Sequence, residues 1–403
     1  MNNYIELTEK YSPNNYSPLN IVLTEGKGAY VKDSEGNTYI DCVSGFSVLN
    51  QGHCHPKIIQ AFLEQSQKIT MTSRALYSDN LGVWEEKVCK LTNKNKVLPM
   101  NTGTEAVETA IKVATKWSQD VKGLNAYDAE IIAMEGNFHG RTIGSLSLSS
   151  NDQYKEGFGE LAGNIKYSEF GNIEDLSSKI TSQTAAIILE PIQGEGGVNI
   201  PPKNFIKEVK ELCDEHNILL IADEIQVGLG RTGKMLAIEW EDVEADIILL
   251  GKALGGGFYP ISAIAANDDI MQVLTPGTHG STFGGNPLAC AVSIASLDVL
   301  IDESLPERSV ELGDKLLKGL QEIKSPIIKE VRGRGLFMGI ELNENAQEIV
   351  SEINQQGVLC KETQGNIIRL APPLVIEDKD IDTIINVITG VIERVSTKEL
   401  NEK

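Results

Sequence analysis

The sequence predicts an α/β protein: a mostly parallel sheet sandwiched by helices, joined to a smaller α+β domain. Short apolar runs recur between residues 97 and 290, at Glu130–Met134, Ala185–Leu189, Ile218–Ala222, Asp246–Leu250 and Ile261–Ala265. Runs without polar alternation belong to strands covered on both faces. Helical patterns separate them, so crossover connections and parallel neighbours are expected. The length of 403 residues is more than one core usually holds, so two or three lobes are expected.

The elements follow in order. A polar lead precedes Gly28–Asp33, a turn at Ser34–Asn37, and Thr38–Asp41, which together read as a hairpin. Residues 1–50 are expected to pack with the small domain, and 51–290 to form the large α/β domain. Thr102 and Glu105 have capping-box spacing at a helix start. Val107, Ala110, Ile111, Ala114 and Trp117 give that helix one apolar stripe. After Pro287 a long helix leads into residues 291–403, the linker helix and small domain. That segment reads as a helix over 306–323, a strand-like Glu330–Leu342, a helix over 345–356, a strand at Ile367–Leu370 and a last helix over 378–395.

Composition narrows the function classes. Hydrophobic residues make up 41% and charged residues 23%, ordinary for a soluble globular enzyme. The net charge of −21 repels nucleic acid and anionic lipid, so neither is an expected partner. No apolar run approaches membrane-spanning length, and the first residues have no signal or transit pattern. Cys42, Cys54, Cys89, Cys213, Cys290 and Cys360 lack paired spacing, which suits reduced thiols and a cytoplasmic protein.

Chemistry gathers at strand ends. Asp246–Leu250 runs into Gly251-Lys252 and then Gly255-Gly256-Gly257, delivering one amine to the mouth of the sheet. Ile218–Ala222 ends in Asp223, an acid that is costly there unless a cation pairs with it. Glu190-Pro-Ile-Gln-Gly-Glu195 ends another run with two carboxylates. Phe138-His-Gly-Arg141 sets a flat ring beside a guanidinium. Gly103 and Thr104 open the helix after Thr102, which is either a plain capped start or an anion site built from free N–H groups and the helix dipole. Amine, acid, arginine and phosphate-type nest together match pyridoxal phosphate, which needs a lysine, an acid for its ring nitrogen and a nest for its phosphate.

Two other signals are weaker. Gly228-Leu-Gly-Arg-Thr-Gly233 fits a dinucleotide fingerprint in spacing, but five residues separate it from the strand and no clear crossover helix follows. His53-Cys-His55 invites a metal, yet no second ligand cluster accompanies it.

Ala222–Gly233 followed by Gly251–Gly257 resembles the class III, fold-type-I aminotransferases, and the likeness runs from about Tyr11 to the last helix. That resemblance implies a seven-stranded sheet and pyridoxal 5'-phosphate as cofactor. Asn15–Leu19, Asn50–Pro56, Met100–Glu105 and Ile367–Pro373 are similar to members acting on L-ornithine and 2-oxoglutarate; acetylornithine or 4-aminobutyrate is the alternative donor. By the same resemblance, Lys252 bonds the cofactor and moves the proton, Asp223 pairs with the ring nitrogen, Gln226 neighbours the ring hydroxyl and Phe138 stacks on the ring. Gly103 and Thr104 hold the phosphate, helped by Thr282 of a second subunit, which implies a homodimer with shared active sites. Arg141 binds the distal carboxylate of 2-oxoglutarate and the α-carboxylate of ornithine, and Tyr16 the ornithine α-amine. Arg369 binds the glutamate α-carboxylate, with Glu195 as its gate. Phe46 borders the substrate and lacks the hydroxyl that animal members carry there, a polar contact of about 1 kcal/mol bearing on selectivity for the δ-amine.

Overall fold

The computed structural model describes residues 2–159 and 161–402. At its centre lies a seven-stranded sheet of β1 (Lys96–Met100), β2 (Glu130–Met134), β3 (Asn164–Ser168), β4 (Thr184–Leu189), β5 (Leu219–Asp223), β6 (Ile247–Leu250) and β7 (Ser262–Ala266). Their spatial order is β1-β7-β6-β5-β4-β2-β3. The neighbours from β3 through β6 pair in parallel, and β7 alone runs antiparallel, between β6 and β1. The five apolar runs of the sequence are β2, β4, β5, β6 and β7. The two strands outside those runs, β1 and β3, are the sheet edges.

Alternate side chains of the inner strands enter different cores. Ile131, Ala186, Ile188, Ile221, Leu249 and Ile264 pack with Val107, Ala110, Ala114 and Trp117 of the helix Gly103–Lys122. Ile132, Ile187, Leu189, Leu220 and Leu250 pack on the opposite face with the helices Phe205–His216 and Pro287–Asp302. Burial on both faces is why these strands carry no polar alternation. Of the expected stripe, only Ile111 is left partly exposed.

The carboxy-terminal segment forms a four-stranded antiparallel sheet covered by the helices Leu305–Gln321, Gln347–Gln355 and Asp378–Glu402. The stretch expected as one strand, Glu330–Leu342, is instead a hairpin of Ile328–Gly333 and Met338–Leu342. Gly335 makes the reversal at φ +58°, where an added Cβ would lie 2.8 Å from the Arg231 carbonyl oxygen. Tyr30–Asp33 and Thr38–Asp41 pair as the expected hairpin, and Val358–Leu359 adds to Thr38–Asp41 in parallel. Amino- and carboxy-terminal chain therefore share one sheet.

The Gly228–Gly233 loop is anchored to the rest of the chain by Arg231. Arg231 is fully buried, and its guanidinium donates to the Leu336 and Pro372 carbonyls (2.9 and 2.6 Å) and to Asn50 Oδ1 (2.6 Å). One side chain thus ties three distant segments together. His53 and His55 take separate acidic partners, Asp41 at 2.8 Å and Glu303 at 3.3 Å.

Candidate active site

The carboxyl ends of the parallel strands converge on a cavity of about 210 Å³. Asp223 closes β5 opposite Leu249 of β6, and Lys252 follows two residues after that strand ends, so acid and amine leave adjacent strands side by side. Gly103, Thr104, Phe138, Asp223, Gln226 and Lys252, all selected from the sequence, line the cavity; His139, Gly140, Glu190 and Ile225 complete the lining. The amine, the acid and the helix start expected to meet do meet.

Lys252 adopts φ +44°, a left-handed conformation that costs a side-chain-bearing residue about 1–2 kcal/mol. Gln51 helps hold the turn: its amide donates to the Ala253 carbonyl at 3.0 Å and to Ser296 Oγ at 2.6 Å. Burial pulls the Lys252 amine down to about 8, against the opposing pull of Glu195. The amine is therefore a competent nucleophile near neutral pH.

Asp223 is buried, and its carboxylate is held by His139 Nδ1 at 2.7 Å and by the Ile225 N–H at 3.1 Å. His139 supplies the partner that a buried acid at this strand end requires. Burial works against charge on His139, but the Asp223 carboxylate outweighs it and raises its pKa. Sequence reasoning quoted His139 and gave it no role; the demand of Asp223 for a cation was the signal that could have found it. Glu190 was likewise unassigned. Burial pushes it up to about 7, with His139 pulling the other way.

The helix Gly103–Lys122 opens with a complete capping box between Thr102 and Glu105. The Gly103 and Thr104 N–H groups find no acceptor among the described residues, which leaves them for an anion at the dipole's positive end. Thr104 Oγ1 also meets Thr142 Oγ1 (2.7 Å) and Ser145 Oγ (2.6 Å). At Gly140 any Cβ would stand 2.6 Å from Thr104 Oγ1, so glycine is required for the loop to close on the helix start.

At the rim, Arg369 Nη1 lies 2.6 Å from Glu195 Oε1, and the Arg369 guanidinium stacks 4.7 Å from the Phe46 ring centre. Burial acts to raise the Glu195 pKa, but the Arg369 charge outweighs it and lowers it. Gln226 Nε2 donates to the same Glu195 oxygen at 3.3 Å. Arg141 is exposed, stacked on Tyr154 at 3.6 Å and near Phe138 at 5.3 Å. No carboxylate pairs with Arg141 among the described residues. Tyr16 is 79% exposed on the amino-terminal segment, and Thr282 is exposed; neither lines the cavity.

The donors fit pyridoxal phosphate on the protein's own terms. Gln226 Oε1 and His139 Nε2 are buried polar atoms without a partner, the helix start offers unpaired N–H groups, and a ring acid and an amine face one small cavity.

Fold and cavity together define a fold-type-I transferase. The aminotransferase class-III family model matches residues 11–392, and the chain belongs to that family. It is 69% identical over 389 residues to ornithine aminotransferase 1 of Staphylococcus saprophyticus, covering 96% of this chain and 99% of that protein. It is 64% identical over 385 residues to ornithine aminotransferase 1 of Staphylococcus aureus, covering 96% and 98%. Among solved structures, the ornithine aminotransferase of Toxoplasma gondii has a TM-score of 0.97 at 40% identity, covering 99% of this chain and 95% of that one. An acetylornithine aminotransferase of Elizabethkingia anophelis has a TM-score of 0.88 at 44% identity, covering 97% and 98%.

Proposed function

We propose that this aminotransferase moves the δ-amino group of L-ornithine to 2-oxoglutarate, giving glutamate-5-semialdehyde and glutamate by alternating half-reactions. The observation that carries the reading is the Glu195–Arg369 pair at 2.6 Å. Two substrates of opposite demand use one cavity. While Glu195 neutralises Arg369, a cationic side-chain amine can approach Lys252. When Glu195 turns away, Arg369 is free for an α-carboxylate.

Pyridoxal phosphate, when bound, supplies an aldehyde for the amino group and a ring that draws off the electron pair left by a departing proton. Lys252 would hold the cofactor through its amine and would carry the proton to and from the substrate carbon. Asp223, oriented by His139 and the Ile225 N–H, would keep the ring nitrogen protonated. Gly103 and Thr104 would take the phosphate, and Phe138 would pack against the ring. Arg141, without an acidic partner among the described residues, receives the distal carboxylate of 2-oxoglutarate and the α-carboxylate of ornithine.

The same reading makes the enzyme a cytoplasmic homodimer with shared sites. Supporting it, Leu76, Tyr77 and Phe283 are large apolar side chains left exposed, Phe283 directly beside Thr282. The similarity to an acetylornithine aminotransferase and the missing hydroxyl at Phe46 favour acetylornithine as the competing donor. Adding L-ornithine to purified protein should bleach the cofactor's visible band at micromolar to millimolar substrate. Acetylornithine or 4-aminobutyrate reacting well ahead of ornithine would overturn the assignment.

A further inference from the structure

We propose that Glu190 is a positioning residue whose buried carboxylate staples the Phe138 loop to the Gly194–Glu195 turn. It thereby fixes the spacing between the ring that covers the cofactor and the carboxylate that gates Arg369. The inference rests on the functional reading above and adds a part to it.

Glu190 is 4% exposed and forms no ion pair with lysine or arginine among the described residues. A buried carboxylate without such a partner is expensive, so a use is expected. Its two oxygens divide their work. Oε2 accepts the Phe138 N–H at 3.1 Å, and Oε1 accepts the Gly194 N–H at 3.4 Å, the longer and weaker contact. Neither amide has another acceptor among the described residues. The two loops leave neighbouring strands, β2 and β4, whose parallel pairing ends at Ala133 and Ile188, so beyond that point side-chain contacts are needed to hold their separation. Gln193 Nε2 ties them at the outer end by donating to the Glu135 carbonyl at 2.6 Å; Glu190 ties them at the cavity wall.

Gly194 is held from its other side as well. A Cβ there would lie 1.4 Å from Gln226 Oε1, so the amide of Gln226 rests directly on this backbone. Gln226 in turn donates to Glu195, which meets Arg369. A continuous line of contacts therefore runs from the Phe138 backbone through Glu190, Gly194 and Gln226 to the gate.

Glu190→Gln tests this in the holoenzyme. Glutamine keeps the shape but has one accepting oxygen, so one tether is lost. The variant should still bind cofactor, as its visible absorbance reports. Its visible circular dichroism, which reads how asymmetrically the ring is held, should fall by about half or more. The ratio of kcat/KM for the L-ornithine and L-glutamate half-reactions should shift about tenfold, equivalent to about 1.4 kcal/mol. A lowered thermal midpoint with dichroism and ratio both unchanged would make Glu190 merely structural and overturn the proposal. Residue-resolved hydrogen exchange on the unaltered holoenzyme covers the case in which the variant does not fold. Slow exchange at Phe138 and Gly194 is expected, and exchange of Phe138 at free-loop rates overturns the staple. A purified protein without a cofactor band would sink the functional reading instead, and the exchange result would still judge the tether.

Discussion

Replacing Glu195 by glutamine removes a charge and little else. Arg369 is 6% exposed, and its Nη1 lies 2.6 Å from the carboxylate it would lose. Unit charges ~4 Å apart attract by about 4 kcal/mol at an effective dielectric of about 20. The Glu195 side chain is 27% exposed, so roughly half of that survives solvent screening, about 2 kcal/mol or about thirtyfold. The neutral variant leaves Arg369 positive and stacked on Phe46. It should repel the cationic amine of ornithine and accept the glutamate carboxylate without first displacing a partner. Stopped-flow single turnovers on the visible band, one with each amino acid, measure both from the same enzyme form. The ratio of kcat/KM, ornithine over glutamate, should fall about thirtyfold. A ratio within about threefold of the parent, or equal losses with both substrates, would refute the gating argument.

Four further outcomes are expected. On the proposed pairing with the ring nitrogen, Asp223→Asn should weaken cofactor retention and slow turnover at least about a hundredfold, since unit charges ~4 Å apart attract by about 4 kcal/mol; dialysis followed by absorbance reads the first and the coupled assay the second. In protein freed of cofactor, Lys252 should react with an amine reagent with a midpoint near pH 8, because burial disfavours its ammonium form. Exposed lysines should titrate near ~10.4, and a Lys252 midpoint among them would contradict the buried amine. Glu195→Gln should lower the Lys252 midpoint further, since Glu195 is the largest of the charges holding it up. Arg231→Met strips three hydrogen bonds from the junction of three segments and should lower the thermal midpoint by about 5–10 °C; an unchanged midpoint would show that the junction holds without it.

The interior of the sheet was legible because its strands are apolar on both faces, and so were their ends, where Asp223 and Lys252 interrupt such runs. The edges were not. Lys96-Val-Leu-Pro-Met100 carries a proline and a lysine, and Asn164-Ile-Lys-Tyr-Ser168 alternates with polar residues, as strands with one free side do. The Ile328–Leu342 hairpin read as one strand because its reversal depends on Gly335 meeting the distant Arg231 backbone. His139 and Glu190 were quoted without a role because their roles are set by partners 84 and 52 positions away. The capping box at Thr102 and Glu105 is wholly local, and it appeared as its spacing required. Tyr16 and Thr282 lie outside the cavity of one chain, so their assignments rest on the likeness to the family.

The parallel pairing of Val358–Leu359 with Thr38–Asp41 bears on how the molecule is made. The hairpin leaves the ribosome early, whereas its partner Val358–Leu359 emerges about 300 residues later, roughly 15–60 s at ordinary elongation rates. Throughout that interval the edge of Thr38–Asp41 is open to pairing with another nascent chain. Slowed synthesis, or premature termination before residue 358, should therefore favour aggregates seeded at that edge.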